Sequence, residues 1–399
     1  MKRTALGIFL LMLPAAARAQ AARPFAELDC LDGNASQQHI SASDRDGRRT
    51  WLATWSGDGC SIEIRLEGDV RVAASGTEIE SMSPGSLLEV SFRRGDRLHR
   101  VSVRPGAAGR PDYRFVADGR EQPADAAARE SFGRVLLEVE RRTGFAAESR
   151  VNGLLQRGGA GAVLDEIGNL RSDYVRSLYF RKLTAARPLE PAEQRRAFEL
   201  AGRQILSAFE LSRVIREIAA RNTLAGEEVV VALTASEAIK SDYERSRVIR
   251  DLTARRDLSP AALRGALQSA ARLHSDYELS RVLVTLAGRG LAEQELQRTY
   301  LRVAADMHSD YERGRALLAL IETSRLETPE LKALFDAVAR MSSDHEAGRV
   351  LSAAARRFRI EGDALSAYVA AADRLHSDYE RNRTLGAAGQ MLRPARSRR

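Results

Sequence analysis

Lysine is almost missing from this 399-residue chain: Lys2, Lys182, Lys240 and Lys332 stand among 62 basic residues. Arginine carries nearly all the positive charge and is interspersed with 54 acidic residues. No long basic stripe forms, so nucleic acid is not an expected partner. Cysteine is limited to Cys30 and Cys60, with no CxxC or histidine-rich spacing beside them, which argues against a metal cage. After the first twenty residues no apolar run approaches the ~20 residues that span a bilayer. Also missing are the phosphate-cradling GxxxxGK[ST], the nucleophile elbow GxSxG and the zinc motif HExxH. The stretch "GGAGAVLDEIG" (Gly158 to Gly168) lacks the third in-register glycine and the preceding strand of a dinucleotide site. No residue is assigned a catalytic, cofactor-binding or metal-binding role, and the expectation is a non-enzyme.

What is present begins with a leader. "MKRT" is basic, "ALGIFLLMLP" apolar, and "ARA" ends in a small-residue cleavage signal, with the cut expected after Ala19 and Ala22 as the alternative. Removing Lys2, Arg3 and Arg18 takes the net charge from +8 to +5. A periplasmic or secreted chain without a transmembrane segment is expected. In an oxidising compartment Cys30 and Cys60 are expected to pair, closing a loop whose constraint contributes roughly 3–4 kcal/mol. The C-terminal "RPARSRR" is expected to be a solvated tail, with contact to an anionic surface as the alternative.

Residues 20–47 are predicted to be a flexible polar segment that includes His39. From 48 to about 118 apolar residues alternate: Ile62, Ile64 and Leu66; Leu88, Val90 and Phe92; Val101 and Val103; Tyr113 and Phe115. Glycine- and proline-bearing turns separate these runs. Period two with short turns predicts an antiparallel meander with one buried face. Trp51 and Trp55 are expected at its core or rim, an aromatic sugar platform being the alternative. Phe132, Val135, Leu136 and Val139 then fall at helical spacing, so a helix should cover the sheet and complete an α+β domain over 48–145. Connecting helices are expected over 146–171.

From Ser172 one string recurs. Its serine stands at 172, 207, 241, 275, 309, 343 and 377, a step of 35 residues followed by five of 34. That period predicts stacked helix pairs: an all-α solenoid of ~34-residue αα-hairpins over 172–392, curved and about 60 Å long, with six pairs and a final helix. The best copies are Ser241-Asp242-Tyr243-Glu244 with Arg247, Ser275-Asp276-Tyr277-Glu278 with Arg281, Ser309-Asp310-Tyr311-Glu312 with Arg315, and Ser377-Asp378-Tyr379-Glu380 with Arg383. Serine followed three residues later by glutamate predicts a capping box, the glutamate returning to the serine N–H. Aspartate suits the first helical turn. Tyrosine and the arginine four residues on should stack, and each arginine is predicted to reach the aspartate of a neighbouring repeat, forming a ladder. Residues seven, eight and eleven after the serine should face the core. His274, His308 and His376 recur once per repeat and are read as a structural row. A string used seven times describes architecture, since a catalytic set is built once from distant residues.

The strings "SMSPGSLLEVSFRRGDRLHRVSVRP", "YRFVADGREQPAD", "RRTGFAAESRV" and "VLDEIGNLRSDYVRSLYF", with the SDYE repeats after them, carry a resemblance. Over roughly residues 60–390 the chain resembles the exported C-terminal region attached to some BlaR-type bacterial membrane metallopeptidases. The zinc HExxH of those peptidases does not occur here, so no catalytic or metal residue carries over. What the resemblance implies is an envelope-side module for sensing or protein contact. The expected function is a periplasmic, non-enzymatic scaffold that binds a protein or peptide partner. Its specificity is expected in rows of non-motif side chains, and its oligomeric state is left open. The alternatives are a module controlling a separate membrane protease and, further off, a cell-wall enzyme with a cleft around His99.

Overall fold

The computed structural model describes residues 37–45, 48–57, 59–254 and 258–391. The expected leader, Cys30 and the basic tail lie outside the described residues. The chain divides into two compact units, the first ending at Glu140 and the second beginning at Arg141.

The first unit is a seven-stranded antiparallel sheet. β1 (Gln37–Arg45), β2 (Arg48–Gly57) and β3 (Cys60–Glu67) are followed by a small hairpin, β4 (Val70–Val72) and β5 (Ile79–Met82), which pairs only with itself and packs through β5 against β7 and β8. β6 (Leu87–Arg94), β7 (Arg97–Pro105), β8 (Pro111–Ala117) and β9 (Arg120–Gln122) continue it, in the order β1-β2-β3-β6-β7-β8-β9. The expected single buried face is present: Ala53, Ile62, Ile64, Leu88, Val90, Phe92, Val101, Val103 and Phe115 are all buried. α1 (Ala126–Thr143) covers it, with Phe132 edge-on to Tyr113 and Phe115 at centroid distances of 6.0 and 6.3 Å.

One expectation is overturned here. Gln37–Arg45, read as part of a flexible segment, forms β1 and pairs with β2 along its whole length, His39 opposite Thr54. Its sequence is polar on both faces, so period-two patterning was silent. Backbone pairing to β2, which is itself held by β3, supplies what side-chain pattern does not.

The second unit is helical throughout. α2 (Ala147–Asn169) is broken at Gly158 and Gly159, where Gly159 has φ 64°. Then come α3 (Asp173–Ala186), α4 (Pro191–Gln204), α5 (Ala208–Arg221), α6 (Gly226–Ser236), α7 (Asp242–Thr253) and α8 (Pro260–Ala270). The series continues with α9 (Asp276–Ala287), α10 (Gln294–Ala305), α11 (Asp310–Thr323), α12 (Thr328–Val338), α13 (Asp344–Arg357), α14 (Gly362–Asp373) and α15 (Asp378–Met391). Odd-numbered helices from α3 pack on one another in one layer, and even-numbered helices pack in a second. This is the expected solenoid of six pairs and a closing helix. α2 packs on α3 and α4 and puts Val151, Val163, Leu164 and Ile167 into the shared core, so it acts as the first member of the even layer more than as a connector.

The core follows the predicted periodicity. Val248, Ile249 and Leu252 on α7, and Val282, Leu283 and Leu286 on α9, are fully buried. The even layer ends each time on an apolar residue two before the serine: Ile239, Leu273, Met307 and Leu375 are buried, and Met341 packs partly buried against them. Tyr300 and Tyr368 sit at full burial, and each hydroxyl donates to an odd-layer carbonyl, Ala316 at 2.8 Å and Thr384 at 2.9 Å.

Candidate interaction surface

Each repeat joint is built around the serine. Ser207, Ser241, Ser275, Ser309, Ser343 and Ser377 accept from the N–H of the residue three places on, at 3.4 Å in every copy. Half of the predicted capping box is therefore present. The other half is replaced, because the glutamates do not return to the serine N–H. That donor is taken by the aspartate one repeat earlier. Asp242 Oδ2 accepts from His274 and Ser275 at 2.8 and 2.7 Å, and Asp276 Oδ2 from His308 and Ser309 at 2.8 and 2.6 Å. Asp310 accepts from Ser342 and Ser343, both at 2.7 Å, Asp344 from Ser377 at 2.7 Å, and Asp173 from Leu206 and Ser207 at 2.9 and 2.7 Å. A carboxylate on two orphan N–H groups satisfies donors that a helix start leaves open. Ala208 stands in the aspartate place of the second copy and cannot make this bond.

The glutamates turn to the previous helix instead. Ser246 donates to Glu278 and Ser280 donates to Glu312, both buried contacts between successive odd-layer helices. In the next two joints glycine replaces this serine. A Cβ at Gly314 would meet Glu346 Oε2 at 3.0 Å, and one at Gly348 would meet Glu380 Oε2 at 2.5 Å. Only a small residue leaves room for the neighbouring carboxylate.

The arginines differ from expectation. They do not reach the aspartate of a neighbouring repeat, which is already committed to backbone. Arg247, Arg281, Arg315, Arg349 and Arg383 pair within their own helix with the glutamate three residues before, at 3.4, 3.4, 3.5, 2.9 and 2.5 Å. The predicted stacking is present: the guanidinium lies 5.3 Å from the Tyr243 ring, 5.4 Å from Tyr277 and 5.9 Å from Tyr379 for Arg247, Arg281 and Arg383. The ladder exists, but its rungs are aspartate-to-backbone and glutamate-to-serine.

The joint leaves its aromatic ring outside. Tyr174, Phe209, Tyr243, Tyr277, Tyr311 and Tyr379 are between 48% and 71% exposed, in six of the seven copies and all on the odd layer, with His345 in the place of the ring in the copy that begins at Ser343. Most of the large exposed apolar side chains thus belong to the motif, with Leu206 and Val369 outside it. At the first two rungs lies an open groove of about 780 Å³, lined by Arg171, Asp173, Tyr174, Arg176, Arg203, Leu206 and Glu210 among others. Its Leu206 is 84% exposed.

The remaining candidates separate. His274 and His376 are almost fully exposed, 3.9 Å from Asp242 and 3.7 Å from Asp344, and His308 is exposed in the same row. No group of three metal-ligating side chains occurs among the described residues. His99 is half-buried on β7, its ring tilted 6.5 Å from Phe92. Trp51 is half-buried on the face of Ala53, and the Trp55 side chain lies outside the described residues. Cys60 is buried at the start of β3, and its expected partner Cys30 is not described.

Two features escaped sequence reading. Arg176, Arg245, Arg313 and Arg381 sit four residues after every second motif serine and donate to the carbonyls of Leu170, Ile239, Met307 and Leu375. Leu211, Leu279 and Ala347 occupy the intervening repeats, so this position alternates. A near-68-residue spacing of arginine was the available signal. The second is an ion triad at the start of the unit. Glu166 accepts from Arg141 at 2.8 Å and lies 2.9 Å from Arg150, with side chains 9% and 3% exposed for Glu166 and Arg150. Burial opposes ionisation of Glu166, but the two guanidinium groups outweigh it and hold the carboxyl below its usual range.

No protein-family model matches this chain, and no curated protein does. Among solved structures, one described as a computationally designed self-assembling cyclic protein homooligomer is similar over 62% of this chain and 81% of its own, at 14% identity and a TM-score of 0.14. A likeness at that level carries no argument about fold or function.

Proposed function

We propose that this chain is a non-enzymatic interaction scaffold of the bacterial envelope, periplasmic or secreted, whose helical repeats hold a protein or peptide partner. The observation that carries this reading is the row of motif aromatics, exposed in six of the seven motif copies on one layer of the array. Folding alone gives no reason to keep six large rings half in water, and aromatic–arginine surfaces are what protein interfaces concentrate. The stacked arginines hold three of the rings in place, which lowers the ordering cost of binding. The leader-like first nineteen residues and the resemblance to envelope modules support the location, and a Cys30–Cys60 disulfide belongs to the same proposal.

The test is affinity capture from an envelope extract of the source bacterium with the oxidised mature chain as bait. A second bait carries Tyr243→Ala, Tyr277→Ala and Tyr311→Ala together. Protein partners captured by the first and lost with the second are the expected result. Partners retained by the second bait would place binding on the sheet unit or another face, and the reading fails.

A further inference from the structure

We infer that the tyrosine–arginine ladder is a docking track for an extended, proline-rich polypeptide bearing acidic side chains. This rests on the scaffold reading and narrows its partner.

Spacing is the first argument. The rungs lie on consecutive odd-layer helices that pack directly on one another. Packed helices sit about 8–10 Å apart. A polyproline II chain advances ~3.1 Å per residue with three residues per turn, so about 9 Å separates equivalent side chains. One turn of such a chain meets one rung, and each following turn meets the next. An α-helical partner advances ~5.4 Å in one turn and ~10.8 Å in two, and a strand ~6.8 Å per residue pair, so the polyproline II repeat fits the ~8–10 Å spacing best.

The surface chemistry agrees. Polyproline II ligands dock on aromatic-lined grooves, where flat rings receive the pyrrolidine faces. Here the rings are Tyr243, Tyr277 and Tyr311, about half exposed.

Charge chooses among such ligands. Within each rung the glutamate lies underneath and the arginine above it. Glu244, Glu278, Glu312 and Glu346 side chains are only 8–12% exposed, whereas those of Arg247, Arg281, Arg315 and Arg349 are 28–41% exposed. The aspartates are spent on backbone N–H groups of the next repeat. Only Nη1 of each of these arginines meets its glutamate, so the other guanidinium donors remain for an incoming anion. The charge offered to a ligand is positive, and the matching partner is acidic.

The test uses the whole oxidised mature chain and fluorescein-labelled (Pro-Pro-Glu)6, whose 18 residues extend about 56 Å at ~3.1 Å each. The controls are (Pro-Pro-Lys)6 and (Gly-Ser-Glu)6. Saturable anisotropy with the first peptide in the micromolar range is expected, weakened tenfold or more with either control. The combined Tyr243→Ala, Tyr277→Ala, Tyr311→Ala variant should also lose tenfold or more while its thermal unfolding stays near that of the parent. Arg281→Gln with Arg315→Gln should weaken binding and flatten its salt dependence. Equal binding of the lysine and glutamate peptides, or undiminished binding by the tyrosine variant, overturns the inference. So does binding of an acidic polysaccharide with no binding of the peptides. If all three peptides fail while envelope proteins are still captured in a tyrosine-dependent way, the proline-rich partner is wrong and the scaffold stands. If both fail, the scaffold falls as well.

Discussion

Asp276 Oδ2 accepts the backbone N–H of Ser309, 33 residues ahead, at 2.6 Å, and the same oxygen accepts from His308 at 2.8 Å. One carboxylate thus closes the start of the next repeat. Asp276→Ala should cost about 1–3 kcal/mol by leaving two helix-start donors without their anion. Asp378 is the matched control. It begins the closing helix, its side chain is 86% exposed, and Asp378→Ala should shift stability by under about 0.5 kcal/mol. Urea unfolding of the two variants decides it, and equal losses would remove the aspartate from the joint.

Glycines separate in the same way. An added Cβ at Gly133 on α1 would stand 2.5 Å from the Thr77 carbonyl oxygen, which is backbone and cannot step aside. Gly133→Ala should destabilise by about 1–3 kcal/mol. Gly386 on α15 has nothing within 4 Å of that position, so Gly386→Ala should stabilise by about 0.5–1 kcal/mol. Thermal midpoints moving in opposite directions are the expected readout.

Acid should attack the Arg141–Glu166–Arg150 triad. The Glu166 carboxyl titrates lower in the folded chain than its ordinary 4.5 because the two guanidinium groups outweigh burial. Between the folded and unfolded values the unfolded chain binds more protons, so stability rises with pH there. The contribution is complete above the unfolded value and lost as pH falls through the folded one. Urea midpoints measured from pH 7 to pH 3 should therefore fall less steeply on the acid side for Glu166→Gln than for the parent. At neutral pH the same variant should be weaker by about 1–3 kcal/mol, since it removes a carboxylate charge that two guanidinium groups share. A parallel pair of pH curves would be the adverse result.

The cysteine pairing is checked by thiol counting. The oxidised chain should show no reactive thiol when unfolded without reductant, and reduction should lower stability by about 3–4 kcal/mol. Two thiols per chain in the untreated protein would end the proposal.

Much of the repeat was legible because its causes are local. Ser275 caps the helix that it begins, Tyr277 and Arg281 share a face one turn apart, and Val282, Leu283 and Leu286 form a stripe at helical spacing. Each relation spans eleven residues or fewer. The fates of Asp276 and Glu278 were misread because their partners lie one repeat away. A capping box is the local solution for such a glutamate, yet here a neighbouring helix brings Ser246 to Glu278, and Asp242 reaches the Ser275 N–H first. β1 was missed for a related reason. Its side chains carry no alternation, although the Asp-Gly at 46–47 is the dipeptide that two-residue hairpins favour.

By itself, the sequence determined the period, the two kinds of unit, the faces that enter the core and the serine that opens each helix. These follow from backbone geometry and from water's exclusion of apolar side chains, which act within a few residues. Tertiary structure alone decided which carboxylate meets which donor, why Gly348 must be small and which motif side chain is left outside. Those outcomes depend on how closely helix packs on helix. The same packing that buries Glu278 against Ser246 leaves the Tyr277 ring in solvent, one such ring in nearly every repeat.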